Sequence, residues 1–288
     1  MFNHELSPLA KLLAIILCLC FGFMLNTLVI SFLYGYMQDG VAYKLLLVLS
    51  SVLSFGLPAL LAARFIGNGD PQFRFLGMTE SPKLAKYLLA FVFMLAIMPA
   101  IEFISSLNSC YSFPDALKGL EEYFRNADSR AVQATQRALA VDGFGGYLLN
   151  IIALAITPAL CEEMFFRGVM QKYLCSTVKN KHLAILLTAI IFSAIHMQFS
   201  GLLPRFILGA VLGYLFYSSG SLWLSIVAHA TNNALVVSAV FFFNADISAT
   251  QDLEIYANPW WIGAIVIGLS IAVLAGRLIF GKKRYIKE

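Results

Sequence analysis

Eight apolar runs, each close to the length of a membrane span, occupy most of this chain of 288 residues. A helix needs roughly 20 apolar residues to cross the hydrocarbon core of a bilayer. Inside lipid, every backbone N–H and C=O group must be paired within the protein, and a helix pairs them within one segment. The runs are Leu9–Tyr36, Tyr43–Phe65, Leu84–Leu107, Gly145–Lys172, His182–Gln198, Leu202–Ser218, Leu222–Phe243 and Trp260–Phe280. They predict an all-α, polytopic membrane bundle of about eight transmembrane helices.

Composition agrees with a membrane protein. Hydrophobic residues make up 60% of the chain and charged residues 12%, with a mean hydropathy of +0.79. A soluble domain is about one quarter charged. The net charge of +4 is modest, and the basic residues lie in loops, which indicates membrane topology and not nucleic-acid binding. The lipid bilayer is therefore an expected partner, and a nucleic acid is not.

Basic residues cluster in the loops 64–86 and 172–181 and in the tail 281–287. By the positive-inside rule, such segments lie on the cytoplasmic side. We therefore expect an integral, multi-pass protein with both termini in the cytoplasm. If the chain is bacterial, the membrane is the inner cell membrane.

The apolar pattern divides the chain into three parts. Residues 1–144 contain the N-terminal helices and an outer polar segment, 145–245 form a core, and 246–288 contain the final helix and a basic tail. The polar segment, Tyr111–Asp142, is predicted to form one or two amphipathic helices on the outer surface. It is interpreted as a packed cap on the bundle, with a lateral gate or a docking surface for substrate as the alternative.

The fourth run contains three charged residues, Glu162, Glu163 and Arg167. A charge at the centre of a bilayer costs at least about 2.5 kcal/mol, so three within six positions indicate a function. Helical positions four apart share a face, so Glu163 can pair with Arg167 while Glu162 points about 100° away. Pro158, one turn upstream, removes a backbone hydrogen bond and is expected to kink or loosen the helix.

Two histidines lie inside other apolar runs. Phe192 precedes His196 by one turn, and His229 precedes Asn233 by one turn. Together with Glu162 they supply a carboxylate, two imidazoles and an amide, which suit hydrolysis. A desolvated glutamate can act as general base on water, and an imidazole and an amide can bind the oxyanion of a tetrahedral intermediate. Alternatively, a divalent metal held by these side chains activates the water.

Each of these features also has a purely structural interpretation. A single histidine inside a membrane is more often a hydrogen-bonding partner between helices, and a Glu–Arg pair at four-residue spacing is commonly structural. Glu102 and Arg205 are two further charged residues in apolar runs, and both are assigned to interfacial or packing roles. The set as a whole is more informative than its members, because it contains nearly every strongly polar residue of the second half of the chain.

The set resembles the three motifs of the CPBP intramembrane proteases, which include the type II CAAX prenyl endopeptidases and the bacterial Abi or bacteriocin-immunity-like proteins. The motifs are Glu162-Glu163-x-x-x-Arg167, Phe192-x-x-x-His196 and His229-x-x-x-Asn233. The resemblance implies an endopeptidase acting on a peptide or a membrane protein, in which Glu162 activates water and His196, His229 and Asn233 complete the site. It gives Glu163, Arg167 and Phe192 supporting roles. It leaves open whether one divalent metal such as zinc is bound by Glu162, His196 and His229, or none.

Two other classes of function stay open at this point. One is a proton-coupled membrane transporter that uses the carboxylates and histidines as a relay, and the other is a non-catalytic immunity protein with the same fold. The protease interpretation also meets a geometric difficulty. Glu162 and His229 fall in the inner halves of their predicted spans, and His196 falls near the outer end of His182–Gln198. The three can meet only if that helix is shifted, tilted or broken, or has other limits.

Overall fold

The computed structural model describes residues 6–37, 40–79, 81–140, 143–246 and 258–280. Within these ranges the protein is helical and contains no strand, which confirms the predicted all-α membrane bundle. The main helices are α1 (Pro8–Leu33), α2 (Gly40–Ile66), α3 (Leu84–Ser109), α4 (Lys118–Leu139), α5 (Gly143–Thr177), α6 (Lys181–Ala194), α7 (Leu202–Ser219), α8 (Leu222–Phe243) and α9 (Pro259–Phe280). The N-terminal residues 1–5 and the predicted basic tail, 281–287, lie outside the described residues.

Seven of the described helices are long and apolar enough to cross a membrane, one fewer than the eight runs of the sequence. The exception is α6, which has 14 residues and is therefore about 21 Å long. The predicted span His182–Gln198 is thus too long at its C-terminal end, because the helix ends at Ala194 and a turn follows. The side chain of Asn180 caps its N-terminus.

Two buried clusters hold the bundle together. The first joins α1, α2, α5 and α8 around side chains such as Ile15, Phe165 and Phe166. The second joins α3, α7, α8 and α9 around side chains such as Met94, Leu212 and Leu224. Helix α8 belongs to both clusters and lies against α5, which places the third motif of the sequence beside the first, and α6, which carries Phe192 of the second motif, also lies against α5.

Three π-helical turns interrupt the spans. Helix α2 contains Val52–Gly56, and helix α5 contains Ile151–Ile156 and Phe166–Gln171. The first two turns are each followed, two residues later, by a proline (Pro58 and Pro158) at the start of the next α-helical stretch. Since proline has no backbone N–H, the regular α-helical ladder cannot continue through it. The charged motif of α5 begins in the nine α-helical residues between its two π-turns.

The outer polar segment forms a short 3-10 turn, Asp115–Leu117, followed by α4. One strongly polar face and one apolar face agree with the predicted amphipathic helix. The C-terminal end of α4 is fixed to the bundle by backbone carbonyls. The ammonium group of Lys44 donates to the Ala138 carbonyl, and Asn150 Nδ2 donates to the Leu139 carbonyl at 2.9 Å.

The N-terminal end of α4 lies over the turn between α6 and α7. The ring of Phe199, in that turn, contacts the rings of Tyr111, Phe113 and Phe124 at centroid distances of 4.5, 5.1 and 5.2 Å. The outer segment therefore packs on the bundle at both ends. The division of the chain into three parts stays a prediction.

Candidate active site

One oxygen of Glu163 joins its own helix to α8. Its Oε1 accepts a hydrogen bond from Arg167 Nη1 at 2.5 Å and lies 2.9 Å from His229 Nδ1 on α8. The side chains of Glu163 and Arg167 are completely buried. Because a carboxylate accepts, His229 carries its proton on Nδ1, and Nε2 is left with a lone pair.

Glu162 points away from this pair, toward the other nitrogen of the same histidine. Its Oε2 lies 3.9 Å from His229 Nε2, and 13% of its side chain is exposed. The separation is too long for a hydrogen bond and short enough for one water molecule to contact both atoms. The two neighbouring glutamates thus face opposite sides of one imidazole, an arrangement that helical spacing alone did not predict.

His196 lies just beyond the end of α6, in the turn that leads to α7. Its Nδ1 is 2.8 Å from the carbonyl oxygen of Phe192, so this nitrogen also carries the proton. The ring of Phe192 lies between the two imidazoles, at 5.3 Å from His196 and 5.8 Å from His229. Helix α6 ends at Ala194, before His196, so the predicted span has other limits, and His196 lies in a turn beside Phe192, whose ring contacts His229.

Asn233 lies one turn beyond His229 on α8. Its Oδ1 accepts a hydrogen bond from Asn232 Nδ2 at 3.1 Å. This arrangement leaves the Nδ2 group of Asn233 as a donor for a further acceptor. The second and third motifs meet through the rings of Phe192 and His229, whereas the hydrogen bond of Asn233 is to its own neighbour.

Two glycines of α7 support the charged motif, and neither was predicted from the sequence. Arg167 Nη2 donates to the Gly209 carbonyl at 3.0 Å, and Gln171 Nε2 donates to the Gly213 carbonyl at 2.9 Å. The guanidinium also stacks on the Phe192 ring, 4.7 Å from its centroid. A sequence signal existed, since both donors and both acceptors are spaced by four residues, which matches successive turns of two packed helices.

The turn between α6 and α7 is held from outside by α3 and α4. Asn108 Nδ2 donates to the carbonyls of Phe199 and Ser200, at 2.6 Å each. The Ser200 N–H donates to Asp128 Oδ2 at 3.1 Å. Because this turn includes His196, these contacts fix the backbone that positions one of the candidate site residues.

Whether the candidate site can bind a metal ion depends on how its donor side chains are arranged. Within the part of the chain that the structure describes, no group of three His, Cys, Asp or Glu side chains is arranged to hold a metal ion. His229 Nδ1 is bound to Glu163, and His196 Nδ1 faces a backbone carbonyl. These contacts leave Nε2 as the available nitrogen of each ring, and among the described residues Glu162, His196 and His229 are not arranged as a three-ligand metal site.

Comparison with protein families finds one match. Residues 144–235 match the family described as Type II CAAX prenyl endopeptidase Rce1-like. The match includes all three motifs, from Glu162 to Asn233, and confirms the resemblance drawn from the sequence. Neither the curated proteins nor the solved structures contain a match to the chain.

Proposed function

From the Rce1-like endopeptidase region at residues 144–235, we propose that this integral membrane protein hydrolyses a peptide bond with a water molecule activated by Glu162. The observation that carries the proposal is the 3.9 Å gap between Glu162 Oε2 and His229 Nε2. Both atoms are hydrogen-bond acceptors when Glu162 is ionised and His229 is neutral. A water molecule between them donates one proton to each and presents its lone pair to a substrate carbonyl.

Glu163 supports this arrangement by fixing the tautomer of His229. With Nδ1–H held by the Glu163 carboxylate, Nε2 stays an acceptor and the ring cannot rotate freely. Arg167 neutralises Glu163 in turn, so that the negative charge available for proton transfer is that of Glu162. Removal of a proton from water by a positioned carboxylate contributes about 10²–10⁴-fold to a rate.

The bonds and protons of the hydrolysis then balance with these side chains, the water molecule and the substrate. The water oxygen attacks the carbonyl carbon as its proton moves to Glu162, and the resulting oxyanion accepts a hydrogen bond from Asn233 Nδ2. His196, which keeps its proton on Nδ1, offers Nε2 as an acceptor for an N–H of the substrate peptide. Collapse of the intermediate breaks the C–N bond, and the proton held by Glu162 passes to the leaving nitrogen.

We also propose that the substrate is a peptide or a membrane protein that is cut near a membrane-embedded or lipid-modified end. The support is the position of Glu162, His229 and Asn233 on α5 and α8, two of the seven described helices that are long and apolar enough to cross the bilayer. The basic loops of the sequence support cytoplasmic termini. Processing of bacteriocin-like peptides is a narrower form of the same proposal.

The test is a comparison of membrane proteomes from cells that produce the wild type, Glu162→Gln or Glu122→Gln. Glu122 is an exposed residue of α4 and provides a matched control. We expect new peptide termini with the wild type and the control, and a decrease of at least about 100-fold with Glu162→Gln. Thermal unfolding of the purified variants verifies that both are folded. Equal fragments from a folded Glu162→Gln variant would contradict the mechanism and favour a different function.

A further inference from the structure

Arg205 is a second cation at the candidate site, in the first turn of α7. Its Nη2 donates to Gln198 Oε1, and its Nη1 lies 3.5 Å from the Gln198 carbonyl. The guanidinium also covers Gly201 so closely that a Cβ there would overlap with Nη1. Since Gln198 is two residues from His196, the head group is fixed beside the turn that carries the histidine.

The partners of Arg205 leave its charge available. Both hydrogen bonds go to a neutral residue, and among the described residues no carboxylate oxygen lies within 4.0 Å of the guanidinium. Its charge nevertheless acts at longer range on the carboxylates of Glu162 and Asp128. By contrast, the buried cation of the motif, Arg167, has a direct carboxylate partner at 2.5 Å.

The backbone adds to the positive potential at this place. Arg205 lies in the first turn of α7, where the helix dipole favours an anion. Arginine is suited to bind a carboxylate because its planar head group can donate two parallel hydrogen bonds. The side chain is only partly buried, so a ligand can reach it.

We propose that Arg205 is a specificity residue that binds a carboxylate group of the substrate peptide beside the scissile bond. This inference rests on the proposed function. The carboxylate is that of the substrate's C-terminus or of an acidic side chain. An extended peptide advances about 3.3–3.6 Å per residue, so the group lies within a few residues of the bond that is cut. Gln198 and Gly201 hold the guanidinium in place for this contact.

The competing structural explanation is that Arg205 only balances the charge of Glu162. The two explanations differ in how the effect of a substitution depends on the substrate. A counterion for Glu162 affects the cleavage of every peptide, whereas a carboxylate-binding residue affects only those that carry the carboxylate. A comparison of variants against blocked and unblocked peptides isolates this difference, as in a double-mutant cycle.

The experiment uses purified full-length protein in lipid nanodiscs and a tryptic digest of a bacterial membrane proteome. One portion of the digest is native. The second comes from proteome that is amidated before digestion, so its acidic side chains are blocked and the C-termini made by trypsin are free. The third is amidated after digestion, so its acidic side chains and its C-termini are both blocked. Cleavage is followed by mass spectrometry for the wild type, Glu162→Gln, Arg205→Gln, Arg205→Lys and the control Arg130→Gln, which changes an exposed arginine of α4.

We expect the wild type and the Arg130→Gln control to cleave the fully blocked digest about 10- to 100-fold more slowly than the native one. Arg205→Gln should cleave the native digest as slowly as the wild type cleaves the fully blocked one. Its own cleavage rate should fall little further on the fully blocked digest. Arg205→Lys should be intermediate, because it keeps the charge and loses the planar head group. The digest with blocked side chains and free C-termini tells the two sources apart, since a fast rate indicates the terminal carboxylate and a slow rate a side chain.

Equal wild-type rates on all three digests would overturn the inference, and so would an equal loss by Arg205→Gln on each of them. Both outcomes leave the proposed function intact, because cleavage that requires Glu162 is still observed. If no digest shows cleavage that is lost in Glu162→Gln, the proposed function fails, and this inference fails with it.

Discussion

Glu163 bears on both the stability and the chemistry of the protein through a single oxygen atom. Oε1 contacts Arg167 on its own helix and His229 on α8, and no part of the Glu163 or Arg167 side chain is exposed. In such a setting the two charges are stable only together, because an unpaired charge in a low-dielectric interior is strongly unfavourable. The same contact determines which nitrogen of His229 faces Glu162.

Substitution Glu163→Gln is therefore expected to have two effects. The amide oxygen can still accept from His229, but the charge that balances Arg167 is lost. We expect the free energy of unfolding to decrease by about 3–5 kcal/mol. Activity per folded molecule should fall by between about 10-fold and 10⁴-fold, the range for groups that orient a catalytic histidine. Thermal unfolding in detergent measures the first effect, peptide cleavage measures the second, and Glu122→Gln should leave both unchanged.

A second prediction at the scale of single residues concerns the effect of a metal chelator on activity. Since Glu162, His196 and His229 are not arranged as a three-ligand metal site among the described residues, we expect purified protein treated with EDTA to retain most of its activity. Elemental analysis of the same sample should find less than one equivalent of zinc per chain. Loss of activity on chelation, with recovery on addition of zinc alone, would show that a metal takes part.

The sequence predicted the pairing of Glu163 with Arg167, and the structure shows how this pair is joined to α8. Four-residue spacing on one helix was sufficient to pair Glu163 with Arg167. The contact from Glu163 to His229 connects residues 66 positions apart, and helical periodicity carries no information about such contacts. Arg205 was assigned to packing for the same reason, because its partner Gln198 lies in a turn whose path the sequence did not define.

At the level of elements, the packing of α7 against α5 and α6 depends on two glycines, Gly209 and Gly213. A Cβ at Gly213 would lie 2.7 Å from Gln171 Oε1 and 2.8 Å from Ile185 Cγ2. Closely approaching backbones in membranes commonly require such small residues, four positions apart. Here the same close approach exposes the two carbonyls that accept hydrogen bonds from Arg167 and Gln171.

Gly213→Ala is expected to lower the free energy of unfolding by about 1–3 kcal/mol through overpacking. Gly263→Ala is the matched control, because Gly263 is also helical and a Cβ added there would have no heavy atom within 4 Å. The control should be neutral or slightly stabilising, since alanine favours a helix. Thermal unfolding of both variants in one detergent measures the difference. Equal melting temperatures would show that α7 can move away from α5 without loss.

The N-terminal end of α4 should respond to acid through Glu121. Its Oε2 accepts from the Phe113 N–H at 3.0 Å and its Oε1 from Arg125 Nε at 2.9 Å. The Phe113 N–H, followed by the Arg125 side chain, holds the pKa of Glu121 below its ordinary value of 4.5. A carboxyl group with a lowered pKa stabilises the folded state fully above its ordinary value. The contribution is lost as the pH falls through the lower, folded value.

We therefore expect the segment around Phe113 and Glu121 to exchange its amide hydrogens faster below pH 4.5 than at pH 6, after correction for intrinsic exchange rates. Glu121→Gln cannot titrate, so its exchange should be fast at both values. Glu122→Gln keeps the titrating group and should behave as the wild type. A wild-type profile that does not change with pH would show that the contacts of Glu121 do not hold this segment.

For the whole molecule, the fold was more predictable than the limits of its individual helices. The lengths of the apolar runs were sufficient to predict the bundle, because lipid requires every span to be a helix. The sixth helix was the exception. The run His182–Gln198 continues to be apolar past Ala194, where the helix ends. The turn that follows is held by contacts from Asn108 and Asp128 on distant parts of the chain, which hydropathy cannot reveal.

The two π-turns of α5 have a consequence for how such a chain can change in evolution. Each turn holds one residue more than the α-helical turn it replaces, so each is what a one-residue insertion would leave behind. Deleting a single residue within Ile151–Ile156 would remove the extra residue of the π-turn and rotate everything upstream by about 100° relative to Glu162. Homologues of different lengths should therefore differ in the loops, while the number of residues in this helix stays constant.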